Sequence, residues 1–139
     1  MKLYHGSPQN LKVLKPKLAK GETDFENKKA IFLTDNFNQA ALYALGKSLK
    51  GKTDFALPPE KLMIVGDYEP AKEGYVYEVD VEAKKGDNYQ YAYFSPIRIF
   101  KKILIKYEDY LDKIIWVRTK EELFKLCLKK RNLITIKPK

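Results

Sequence analysis

The apolar positions change period along the chain, and the changes divide it into elements. Residues 2–5 read as a short strand at the N-terminus. Ser7-Pro8-Gln9-Asn10 breaks it, because proline has no amide proton and serine and asparagine favour turns. Residues 16–30 are rich in Lys, Gly and Asp with little periodicity and predict a loop. Ala30-Ile31-Phe32-Leu33 is a compact apolar run of the kind a buried strand carries. Thr34-Asp35-Asn36 then supplies helix N-cap chemistry. Phe37, Ala40, Ala41, Ala44, Leu45 and Leu49 recur at three- and four-residue steps, which predicts a helix from about Phe37 to Leu49, stopped by Gly51.

Residues 51–73, with Pro58-Pro59, Gly66 and Pro70, predict a long crossing loop holding a short strand at Leu62–Val65. A loop of that length in a compact domain often lines a binding cleft. A strand is expected at Tyr75–Val81, a turn at Lys84-Lys85-Gly86-Asp87-Asn88, and an aromatic-rich strand at Tyr89–Ser95. Pro96 interrupts it, and Ile97–Ile105 continues as one further strand. Ile114–Val117 reads as a strand. Thr119-Lys120-Glu121-Glu122 has the capping-box pattern of a helix running to about Lys130, with Leu123, Leu126 and Cys127 facing inward. Leu133–Ile136 is expected as a last strand. Strands scattered among two or three helices, without regular alternation, argue an α+β fold.

Composition narrows the class. A chain of 139 residues suits a single domain spanning 1–139. With 45% apolar and 32% charged residues it has the makings of a core and is not a disordered tail. No apolar run approaches the ~20 residues needed to cross a bilayer, and the first residues lack the apolar stretch of a secretory signal. The expected location is the cytoplasm, away from membranes. A lone cysteine, Cys127, allows no intrachain disulfide and no CxxC metal site, and reads as a small core residue. The net charge of +9 draws phosphates and acidic partners. Of the 27 basic residues, however, only Arg98, Arg118 and Arg131 are the arginines that planar phosphate recognition favours.

Candidate chemistry centres on two residues. His5 is the one histidine of the chain and ends the first strand beside Gly6 and Ser7. With no second histidine and no cysteine cluster, a metal site is not expected. A nucleophilic pairing of His5 with Ser7 lacks the GxSxG context that would expose the serine. Tyr43 lies roughly 120° or more from the centre of the helix's apolar stripe. It either points to water or lines a cleft.

Leu3-Tyr4-His5-Gly6-Ser7, then Ala30-Ile31-Phe32-Leu33-Thr34, then Gln39-Ala40-Ala41-Leu42-Tyr43-Ala44 resembles the ADP-ribosyltransferase superfamily. The likeness is to its diphtheria-toxin-like branch with a His-Tyr-Glu signature, which includes poly(ADP-ribose) polymerase catalytic cores and small bacterial ADP-ribosyltransferases. It is strongest over residues 3–44. Gly74–Val81 looks like the family's central strand, and residues 89–100 look like the strand carrying the third signature residue. Residues 106–139 have no matching motif.

The resemblance implies a fold of split antiparallel sheets with a few flanking helices, and NAD as the substrate whose ADP-ribose is transferred, a glycosyl transfer. It implies that His5 hydrogen-bonds a ribose hydroxyl of NAD. It also implies that the Gly6 backbone reaches the nicotinamide carboxamide, a close approach glycine permits. Ser7 would support the turn or add a polar contact, and Thr34 would sit at the mouth of its strand. Tyr43 would stack on the nicotinamide ring, with Phe32 in place of the signature tyrosine as the opposite wall. The family's third residue, a catalytic carboxylate, falls on Gln90 when counted back from Pro96. Glu78 and Glu82 are the carboxylates that would serve if that count is displaced.

Three other readings stand beside this one. A degenerate, non-catalytic module could bind NAD, ADP-ribose or nucleic acid. An RNA 2′-phosphotransferase-like enzyme would use the positive charge. A small domain with a coincidental motif would do none of this. The acceptor (protein, nucleic acid or small molecule) and the oligomeric state are not written in the sequence. Tyr89, Tyr91, Tyr93 and Phe94 read as ordinary sheet residues, with an acceptor platform as the alternative.

Overall fold

The computed structural model describes residues 1–18, 29–86, 90–99 and 101–132. In chain order the elements are β1 (Lys2–Ser7), β2 (Val13–Leu14), β3 (Lys17–Leu18), β4 (Lys29–Thr34) and α1 (Phe37–Gly46). They continue with β5 (Phe55–Ala56), β6 (Leu62–Val65), β7 (Glu73–Asp80), β8 (Lys84–Lys85), β9 (Gln90–Tyr93) and β10 (Ile97–Arg98). β11 (Lys101–Lys106), β12 (Ile114–Val117) and α2 (Lys120–Asn132) complete the set. The class is α+β, and among the described residues the pairing is antiparallel except between β12 and β6.

The largest sheet runs β11-β7-β1-β4-β9-β8, with β3 added on β4. Its two halves are joined thinly. β1 and β7 stay in register from Lys2–Asp80 to Ser7–Tyr75, whereas β1 and β4 are in register only at Tyr4 opposite Thr34 among the described residues. Beyond that pair the halves part.

α1 lies chiefly on β1 and β7. Its start follows the sequence: the Asn36 side chain accepts from the Gln39 amide at 3.0 Å, satisfying one of the donors a helix start leaves open. Ala40, Ala41, Ala44 and Leu45 are buried as the stripe predicts. The predicted helix to Leu49 is an α-helix to Gly46 followed by a 3₁₀ turn over Lys47–Leu49.

Leu42 is fully buried although it lies off the predicted stripe. The cause is a second sheet, β12-β6-β5, packed behind α1. Leu62 and Ile64 of β6 face α1, while Met63 faces Val117 and Leu123 of β12 and α2. The expected crossing loop over residues 51–73 is therefore corrected. Its Leu62–Val65 strand is as predicted, but the segment also forms β5. Hydrogen bonds from Gln39 Nε2 to the Leu57 carbonyl, and from the Glu60 amide to Gln39 Oε1, tie it to α1. On the far face of the large sheet, Leu14 and Ile97 of the β2–β10 ribbon cover Leu3, Ile31, Leu33 and Tyr77.

The single strand expected over Ile97–Ile105 is two. β10 pairs with β2 and β11 pairs with β7, so one apolar stretch serves two sheets. The turn expected at residues 84–88 includes the short strand β8. The loop expected over 16–30 begins with β3 and ends in β4. α2 starts as the capping box predicts: Thr119 Oγ1 accepts from the Glu122 amide at 3.1 Å. Leu123 is buried, with Leu126 and Cys127 partly so. The strand expected at Leu133–Ile136, Tyr89, and most of the residue 16–30 loop lie outside the described residues.

Candidate functional site

His5 stands where the large sheet splits. Strand alternation assigns it to the face of Leu3 and Tyr77, and its ring lies 6.4 Å from that of Tyr77. The imidazole also reaches β4, with Nδ1 2.8 Å from the Phe32 carbonyl oxygen. A carbonyl can only accept, so Nδ1 carries the proton and donates. In the neutral ring, Nε2 is then an acceptor. The imidazole thus replaces a strand-to-strand bond at the parting and is held in one tautomer by it.

Burial is the largest influence on this ring and pushes its pKa below the ordinary 6.5. The bond to the Phe32 carbonyl pulls upward, and the charges of Lys47 and Lys17 push further down. The ring is neutral at pH 7, which suits an acceptor for a hydroxyl. A pH dependence follows from the sign of the shift. The unfolded chain takes up a proton near pH 6.5 while the native ring stays neutral. Stability is therefore lost as pH falls from 6.5 towards the native pKa, by at most ~1.4 kcal/mol per pH unit. His5→Gln removes that titration. Chemical unfolding of both proteins between pH 7 and pH 5 checks this, and the variant is expected to show the shallower loss.

The sheet face turned towards α1 carries the next residues. Direct partners in an antiparallel ladder share a face, as do residues two apart on one strand. Tyr4, Thr34 and Gln90 stand in register across β1, β4 and β9, and Phe32 stands opposite Ala92 on the same face. Phe32, Thr34 and Gln90 are half-buried. α1 presses mainly on β1 and β7 and less on β4, and Ala30 and Ala92 on this face of the β4–β9 half are buried. Thr34 Oγ1 accepts from the Asn36 amide at 3.2 Å and shapes the entry to α1. Tyr43 is 43% exposed, as its place off the stripe predicts, and the Lys47 ammonium lies 5.9 Å from its ring centre.

Gly6 and Ser7 have local structural duties. A Cβ on Gly6 would stand 1.9 Å from the Ala40 carbonyl oxygen, so α1 itself demands glycine there. Ser7 shares a face with His5 by alternation, but its buried hydroxyl accepts from the Gln9 amide at 3.1 Å. It supports the turn after β1.

Glu78 and Glu82 stand elsewhere. Glu78 is opposite Tyr4 on β7, the side of β1 away from β4, and its oxygens lie 3.7 Å from Lys2 and Lys101. Glu82 lies 3.0 Å from the N-terminal amine. Among the described residues, the charges acting on His5 are those of Lys47 and Lys17. Lys47 and Lys17 were not legible as site residues, being two lysines in a lysine-rich chain. Among the described residues no group of three or more His, Cys, Asp or Glu could hold a metal ion. Of the aromatics on β9, Tyr91 is buried in the core opposite Leu33, and Phe94 just beyond the strand is 49% exposed.

A surface depression of about 380 Å³ lies away from these residues, along Ile103–Ile105 of β11 and beside Phe37, Asp109 and Tyr110. No described helix is long and apolar enough to cross a membrane. Among known proteins, no family model, no curated protein and no solved structure matches the chain.

Proposed function

We propose that the protein binds NAD where the two halves of the large sheet part, and that it is an ADP-ribosyltransferase-like domain. The observation that carries this reading is the His5 imidazole, neutral and fixed in one tautomer by the Phe32 carbonyl where β1 and β4 part. Nε2 of His5 accepts a hydrogen bond from a ribose hydroxyl. The rings of Tyr43 and Phe32 flank the nicotinamide, whose planar cationic ring is drawn to aromatic faces. Thr34 and Gln90 share the sheet face of Phe32, whereas His5 belongs to the other face by strand alternation and meets the ligand only where β1 and β4 part.

Transfer of ADP-ribose requires the nicotinamide bond to break with positive charge growing on the ribose. Gln90 offers the ribose a hydrogen bond but no charge, so the turnover of this domain is slow. The cationic surroundings of His5 favour a second reading, a module that binds NAD or ADP-ribose without turnover. Both readings predict binding. Calorimetric titration with NAD tests them together, with binding expected for the wild type and weakened in His5→Ala and Tyr43→Ala. Nicotinamide release separates slow enzyme from binding module.

A further inference from the structure

The large sheet ends in β11. Among the described residues β11 pairs only with β7, in register from Lys101 opposite Glu78 to Lys106 opposite Glu73. The depression of about 380 Å³ lies along this strand, and its lining takes in Ile103, Leu104 and Ile105 in succession. Alternation sends Leu104 to the opposite face from its two neighbours. A hollow that touches all three therefore opens at the edge of the strand and not on one face. Leu104 is 47% exposed there. Phe37, Tyr110, Asp109 and Asp112 also line the hollow.

The two faces of this edge differ in charge. Lys102 stands opposite Tyr77 and Leu104 opposite Tyr75, so Lys102, Leu104 and Lys106 share one face. That face reads basic, apolar, basic, and all three residues are exposed. Lys102 contacts neutral groups, the Asn10 side chain and the Tyr75 ring. Ile103 and Ile105 turn to the other face and pack into the core around α1, with Tyr110. On that side Asp109 and Asp112 are exposed at the hollow, while Lys101 lies 3.7 Å from Glu78 and Lys113 3.9 Å from Glu60. A sheet edge takes an added strand through its main-chain groups, and the alternating side chains decide which strand fits.

We propose that β11 is a docking edge for an extended peptide, which joins the large sheet as a further strand. The peptide carries acidic, apolar and acidic side chains at alternate positions, opposite Lys102, Leu104 and Lys106. Between them it carries uncharged residues, because Asp109 and Asp112 repel carboxylates on the α1 side. Opposite charges directly across a strand pair stabilise it, and like charges oppose it. The same rule disfavours a second copy of this chain as the occupant: self-pairing centred on Leu104 would set each Lys102 against a Lys106. The docking edge is independent of the NAD reading, whose residues lie on β1, β4, β9 and α1.

The probe is a fluorescein-labelled peptide with glutamate, leucine and glutamate at alternate positions, separated by threonines. Fluorescence anisotropy follows its binding to the wild type, Leu104→Glu, Lys106→Glu and Lys125→Gln. Lys125 is an exposed lysine of α2, an element packed on the second sheet. Leu104 and Lys106 are exposed, and circular dichroism checks that their variants fold. The expected result is saturable binding that weakens about fivefold or more in Leu104→Glu and Lys106→Glu and is unchanged in Lys125→Gln. The same peptide N-methylated at every backbone amide should not bind, since it has no amide proton to give the edge. No binding to the wild type, equal binding by all four proteins, or undiminished binding of the N-methylated peptide overturns the proposal. So does a wild-type dimer in sedimentation that Leu104→Glu dissolves, which gives the edge to a second copy.

Discussion

Gly6→Ala is expected to destabilise the protein by ~3 kcal/mol or more and to lower Tm by roughly 10–15 °C. The added Cβ would stand 1.9 Å from the Ala40 carbonyl oxygen, 2.9 Å from its carbon and 3.2 Å from the Ala44 nitrogen. All three are backbone atoms of α1, so no side chain can swing aside. The helix must lift from β1, and the packing of Ala40, Ala41 and Ala44 loosens with it. Overpacking ordinarily costs about 1–3 kcal/mol, where neighbours can shift. Gly74→Ala is the internal comparison. Its Cβ would meet the Ala44 methyl at 3.0 Å and the Ser7 carbonyl oxygen at 3.5 Å, a milder clash for which a smaller loss is expected. Thermal unfolding of the two variants ranks them. Equal Tm values would mean that α1 does not bear on β1 as tightly as described.

Gln90→Glu is expected to raise the rate of nicotinamide release from NAD by about 10²–10³-fold, with little change in NAD affinity. Residue 90 stands opposite Thr34 on the sheet face that also carries Phe32. If NAD lies there, a carboxylate at this position meets the positive charge that develops on the ribose and is absent from the ground state. A group that interacts with the transition state alone changes the rate more than the binding. Single-turnover release of nicotinamide by both proteins measures the difference. An unchanged rate alongside intact NAD binding would show that residue 90 does not face the reacting ribose.

Much of the local structure was legible because local chemistry decides it. Asn36 caps α1 through a bond to Gln39 three residues on, and Thr119 does the same for α2. Tyr43 could be placed off the apolar stripe by angle alone, and it is exposed. What failed depends on partners distant in sequence. Leu42 is buried by a sheet whose strands β6 and β12 lie about fifty residues apart, and no pattern within residues 51–73 announces that pairing. The apolar run at 97–105 alternates like one strand, and only its two different partners divide it.

The site was half legible for the same reason. His5 stood out by being the one histidine, but its bond to Phe32 spans 27 residues and arises where two strands diverge. The need for glycine at position 6 comes from a helix that approaches from residue 40 onward, not from the turn at Ser7. Lys17 and Lys47 are unremarked among 27 basic residues until folding brings both within electrostatic reach of the imidazole.

The most direct test of the account is calorimetric titration of the wild type, His5→Ala and Tyr43→Ala with NAD at pH 7.5. Loss of an aromatic face against a stacked base costs about 1–3 kcal/mol, so Tyr43→Ala should weaken binding by roughly 5- to 150-fold. His5→Ala, which removes the acceptor for the ribose hydroxyl, should weaken it as well, while both variants keep the wild-type fold by circular dichroism. Saturable binding by the wild type, weakened in both variants, is the predicted result. No heat from the wild type at millimolar NAD, or the same affinity in all three proteins, would contradict it.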